Sequence, residues 1–91
     1  MKIRYNNKFQ QQLEDFYKRI GYVVRYEKGN FKSGYCILKS TKVVVVNKYF
    51  TIEGKINCLI DILKHVPFES GELPEADQKF YTELTTLSDN N

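Results

Sequence analysis

At 91 residues, the chain has room for one domain and no second. Its content of 42% apolar, 14% aromatic and 27% charged residues excludes a disordered chain, a collagen-like chain and a disulfide-dense scaffold. No unbroken apolar run exceeds four residues, as in Val43 to Val46, far short of the ~20 that a membrane span needs. No cationic start precedes an apolar stretch, so no signal peptide is expected. Two cysteines, Cys36 and Cys58, without an export signal point to free thiols in a reducing, cytoplasmic setting.

The net charge of +3 hides an asymmetry. Residues 1–50 carry +8 and residues 51–91 carry −5. One reading is a basic surface aimed at nucleic acid or another polyanion. The other is that the two halves satisfy one another, within or between subunits. The cations never run in a block, which favours the second.

Residues 7–20 read as an amphipathic helix. Phe9, Leu13, Phe16 and Ile20 share one stripe, with Asn6 or Asn7 as cap and Gly21 past the end. Residues 22–27 alternate as a strand: Tyr22, Val24 and Tyr26 point one way, Val23, Arg25 and Glu27 the other. Lys28-Gly29-Asn30 is a turn signal. Tyr35 to Lys39 is a second strand, with Tyr35 and Ile37 opposite Cys36 and Leu38. Ser40-Thr41-Lys42 makes a hairpin loop. Val43 to Asn47 is a third strand, apolar on both faces, the mark of a strand covered on both sides. Thr51 caps a helix that runs to about His65, with Ile52, Ile56, Leu59, Ile60, Leu63 and Val66 as its core stripe; Pro67 stops it. An acidic loop follows. Pro74 then opens a last helix bearing Ala76, Phe80, Leu84 and Leu87, with residues 88–91 frayed. The order α-β-β-β-α-α predicts a single α+β domain over residues 1–91. Its expected form is a three-stranded antiparallel meander with two helices on one face and the C-terminal helix near the other face or the edge.

Little in the chain carries chemistry. Neither a phosphate loop nor a nucleophile elbow occurs. Gly29 to Gly34 is glycine-rich but joins strand to strand, so no helix N-terminus stands behind it. His65 is the single histidine. Cys58, Asp61 and His65 share a helix face, but Cys58 and His65 stand two turns, ~10 Å, apart, too far to hold one ion easily. Glu14 and Asp15 are adjacent on a helix and diverge. These observations predict no catalytic residue, no metal and no cofactor. Cys36, inside the sheet, is expected to react slowly with thiol reagents and Cys58 faster.

Rings and cations interleave across the first two strands, as on sheet platforms that stack single-stranded bases. The candidate contacts are Arg25, Lys28, Phe31, Lys32, Tyr35 and Lys39. The α-β-β-β-α order also resembles the double-stranded-RNA-binding domain. That family's lysine cluster at the start of its last helix is matched here by Lys55 alone, and Asp61 sits on that helix face. Gly34-Tyr35-Cys36-Ile37-Leu38, then Val43 to Asn47 followed by Lys48, then a helix from Ile52 resembles a family of small uncharacterised bacterial proteins. That likeness covers residues 20–65 and implies no activity. The same strand–strand–helix order resembles the start of small zinc metallopeptidases, whose helix carries His-Glu-x-x-His. Here it reads Asn57-Cys58-Leu59-Ile60-Asp61-Ile62-Leu63-Lys64-His65, so peptidase activity does not carry over.

The reading that results is a small non-catalytic protein that works through protein–protein contact, as a homodimer or with another protein. A nucleic-acid module on the basic N-terminal half is the alternative, and a membrane is not expected as a partner. The expected interface takes one valine pair of the third strand, either Val43 and Val45 or Val44 and Val46. The second pair, with Phe80, Leu84 and Leu87 of the last helix, is the working set.

Overall fold

A computed structural model describes residues 2–31 and 34–89 and is a small compact α+β domain. Helix α1 (Asn7–Arg19) begins where Asn6 Oδ1 accepts the Phe9 N–H at 2.8 Å. It buries Phe9, Leu13, Phe16 and Tyr17. Strands β1 (Val23–Glu27), β2 (Tyr35–Leu38) and β3 (Val43–Asn47) follow. Helix α2 (Ile52–Leu63) is capped by Thr51, whose hydroxyl accepts from Gly54 N–H. A single turn of 3-10 helix, Ser70–Glu72, precedes α3 (Glu75–Asp89).

The sheet is not the expected meander. Its order is β1-β3-β2: β3 pairs antiparallel with β2 and parallel with β1. The reason lies in the two connections. Residues 39–42 make a tight hairpin between β2 and β3, with Lys42 in the left-handed region. Seven residues, 28–34, separate β1 from β2 in the sequence. Extended, such a link reaches ~20 Å, while crossing the end of one intervening strand needs ~10 Å. β3 therefore inserts between the two strands that precede it. The link is tied across its end: Asn47 N–H donates to Gly34 O at 2.9 Å and Lys48 N–H to Glu27 O at 3.1 Å. The α-β-β-β-α order behind the likeness to the double-stranded-RNA-binding domain is present, but its sheet is mixed and not an antiparallel meander.

Alternation along the strands gives the sheet two unlike faces. Val24, Tyr26, Val44, Val46, Tyr35 and Ile37 face the helices, and Val44 and Val46 are fully buried there. α1 and α2 supply that cover. The sequence put α3 near the other face of the sheet or its edge, and it goes to neither. It packs on α2 and α1, where Leu84 is fully buried. A ring cluster closes that seam: Phe16 lies 5.8 Å from Phe80, and Phe68 meets Tyr81 edge-on at 5.0 Å. With β3, α1 and α3 around it, α2 is buried on nearly every side. Cys58 and Ile62 join its expected stripe in the core. No helix among the described residues is long and apolar enough to cross a membrane.

Candidate functional site

Three tyrosines tie the helices and sheet together through polar contacts, that of Tyr17 buried, that of Tyr26 half-buried and that of Tyr35 exposed. The Tyr17 hydroxyl donates to Leu59 O at 2.5 Å, joining α1 to α2. Tyr26 of β1 donates to Glu14 at 2.5 Å and accepts from Gln10 Nε2 at 2.9 Å. Tyr35 of β2 donates to Asp61 of α2 at 2.7 Å. Burial pushes all three phenols up. For Tyr17 the rise is large and is reinforced by Tyr35, Tyr26, Asp61 and Cys58. For Tyr26 the bond to Glu14 adds to burial. Tyr35 is pushed up to about 12, by burial first and then by its bond to Asp61. Neutral, donating phenols of this kind hold elements in place and offer no base at neutral pH.

The cysteines lie opposite to expectation. Cys58 is buried in the core at 7% exposure, and burial, then Asp61, pushes its thiol up. Cys36 is half-buried on the sheet face away from the helices. The expected order of thiol reactivity is thereby reversed. The error was one of helix face: Cys58 on α2 turns toward the start of β2, where its Sγ lies 3.4 Å from the place a Cβ on Gly34 would take. His65 is exposed beyond the end of α2. Among the described residues, no group of three His, Cys, Asp or Glu side chains could hold a metal ion.

The feature that stands out is the uncovered sheet face. It carries Val23, Arg25 and Glu27 from β1, Val43, Val45 and Asn47 from β3, and Cys36 and Leu38 from β2. Val23 is 54% exposed and Leu38 43%. Arg25 Nε meets Glu27 Oε2 at 2.7 Å on this face. Of the residues first assigned to an interface, Val44 and Val46 lie under the helices and Leu84 is in the core. Phe80 is half-buried between Phe9 and Phe16. The alternative pair, Val43 and Val45, is the one on the open face. The Leu87 side chain lies outside the described residues, as does Lys32.

The candidate nucleic-acid contacts do not converge. Arg25 is on the open face, while Lys28 and Lys39 sit in loops at opposite ends of the strands. Tyr35 turns to the helices, as does Tyr26. Phe31 folds over Gly29 in the link. The open face therefore presents no ring among its strand residues, and base stacking needs one. The basic and acidic halves meet instead at Arg19, whose guanidinium grips Asp77 of α3 through two bonds of 2.8 and 3.0 Å. Comparison with protein-family models, curated proteins and solved structures finds no match to this chain.

Proposed function

We propose that the protein is non-catalytic and works by self-association through the open face of its sheet. The single observation behind this reading is a sheet face with no helix over it among the described residues, on which Val23 and Leu38 are exposed, Val43 and Cys36 half-buried, and Val45 shielded between its strand neighbours. The second copy is favoured as occupant by the charges on that face. Arg25 and Glu27 stand two residues apart on one strand. A two-fold partner running antiparallel sets each Arg25 against the other copy's Glu27, so the patch complements itself. Self-association also accords with the two free thiols. The resemblance to small uncharacterised bacterial proteins remains part of the same reading.

Three short strands give a footprint on the order of 200 Å². A stable interface buries ~800 Å² per partner. The association is therefore weak, with Kd on the order of 0.1–1 mM. Sedimentation equilibrium between about 20 µM and 2 mM tests it. Mass should rise with concentration in the wild type and stay monomeric in Val23→Lys/Leu38→Lys, which alters two exposed side chains and spares the core. A wild type that remains monomeric throughout, or a variant that associates equally, refutes the reading. A parallel series with mixed oligonucleotides separates the nucleic-acid alternative, whose binding falls steeply with salt.

A further inference from the structure

A second surface, away from the open sheet face, has the character of a ligand site. The extended segment before α1 alternates: Ile3 packs against the core and Tyr5 donates to Asn57 Oδ1 at 3.1 Å, while Lys2, Arg4 and Asn6 face the other way. On α1, Lys8 and Gln12 are one turn apart and continue the same row. Together with Phe9 and with Phe80 of α3 they line a half-open groove of about 420 Å³. That size lies within the range of small-molecule sites. Among the described residues, three cations line it and no carboxylate does. None of Lys2, Arg4 and Lys8 pairs with a carboxylate among the described residues. Neighbouring cations in a concavity repel one another and focus a positive field, and an anion relieves both.

We infer that this groove binds a small anion carrying two or more phosphate groups, with Lys2, Arg4 and Lys8 as its charge partners. Arg4 supplies a planar fork suited to a phosphate edge, and the two lysines act as point charges on either side. Asn6 and Gln12 add neutral hydrogen-bonding groups. Phe9 and Phe80 give the floor an apolar surface, against which the organic part of a nucleoside phosphate can lie. The Lys39 and Lys42 hairpin is also basic, but Lys42 lines a separate groove that holds Glu69 and Glu72, so its charge is offset there, and the hairpin serves as the internal control.

Calorimetric titration with pyrophosphate and with ATP, at low salt, tests the site. The wild type should bind at least one of them saturably, with Kd on the order of 10–100 µM. Lys2→Gln/Arg4→Gln/Lys8→Gln should weaken binding by at least about tenfold, while Lys39→Gln/Lys42→Gln should change it less than about twofold. Thermal melts establish that both variants are folded, since every altered side chain is solvent-facing. Amide shifts on titration should cluster at residues 2–12 and 80. No saturable binding up to several millimolar overturns the inference, as does an equal loss in the hairpin variant. A single-stranded oligonucleotide that binds more tightly than ATP and moves the hairpin amides assigns the charge to nucleic acid and also overturns it. None of these outcomes bears on the sheet face, so the two readings fail separately.

Discussion

Replacing Tyr17 by Phe removes one oxygen from the middle of the molecule, and its effect should depend on pH in a defined direction. Tyr17 is fully buried, and its hydroxyl donates to Leu59 O at 2.5 Å. That carbonyl keeps its bond in the α2 ladder, so the variant loses a hydrogen bond without orphaning an acceptor. At pH 8 the cost should be about 1 kcal/mol. The folded-state phenol is held well above its ordinary value by burial. Below pH 10 both folded and unfolded states are neutral, and the wild type has its full advantage. Above pH 10 the unfolded chain releases a proton that the folded chain retains, so wild-type stability is lost as pH rises. At pH 11 this loss amounts to about 1.4 kcal/mol for Tyr17 alone. Tyr17→Phe lacks that titration. The stability gap between the two proteins should therefore close, or change sign, between pH 8 and pH 11. Urea unfolding at four pH values across that range, with Cm and m fitted together, measures the gap. A gap that is constant, or that widens with pH, refutes the placement of Tyr17 as a buried donor.

Three further outcomes are expected. Cys36 should react with a thiol reagent faster than Cys58 in the native protein, because Cys58 is buried and its thiol pushed up; single-cysteine variants separate the two rates. Gly34→Ala should destabilise by about 1–2 kcal/mol in thermal melts, since Gly34 has φ +84° and a Cβ there would sit 2.3 Å from Phe50 Cε2 and displace that partly exposed ring. Gly71→Ala, which meets nothing within 4 Å, should be near neutral in the same thermal assay. Arg19→Ala should cost about 1–3 kcal/mol, because it strands the carboxylate of Asp77, which is 9% exposed; Arg19→Ala/Asp77→Ala should recover part of that loss in a double-mutant cycle.

The elements were legible because their signals are local. Asn6 and Thr51 cap the helices they were assigned to, and the alternation of Tyr22–Glu27 and Tyr35–Leu38 holds in the sheet. The four valines of β3 were read as a strand covered on both faces. Val44, Val45 and Val46 are indeed buried. Yet only one face has helices, and Val45 is shielded on the other beside its register partners Arg25 and Cys36. β3 is the central strand, which the sequence did not disclose. Strand order depends on whether a link reaches past a strand that has not yet formed, and no periodicity records that. The position of α3 was illegible for a related reason. Its stripe of Phe80 and Leu84 states that one side is buried, not against what, and Ala76, read with them, is exposed. The ring cluster with Phe9, Phe16 and Phe68 decides it. The interface residues failed with α3, because Val44, Val46 and Leu84 were chosen for a partner surface that the helices already occupy. The groove at Lys2, Arg4 and Lys8 had a visible signal, the alternation of Lys2-Ile3-Arg4-Tyr5-Asn6, in a segment shorter than any regular element.

Which sheet face makes contacts in solution is the central question, and amide chemical shifts on dilution answer it most directly. From 2 mM to 20 µM the shifts should move for Val23, Arg25, Cys36, Leu38, Val43 and Val45, follow one binding isotherm, and stay fixed for α3. Spectra that do not change with concentration, or changes confined to α3 and the loops, contradict self-association through the open face.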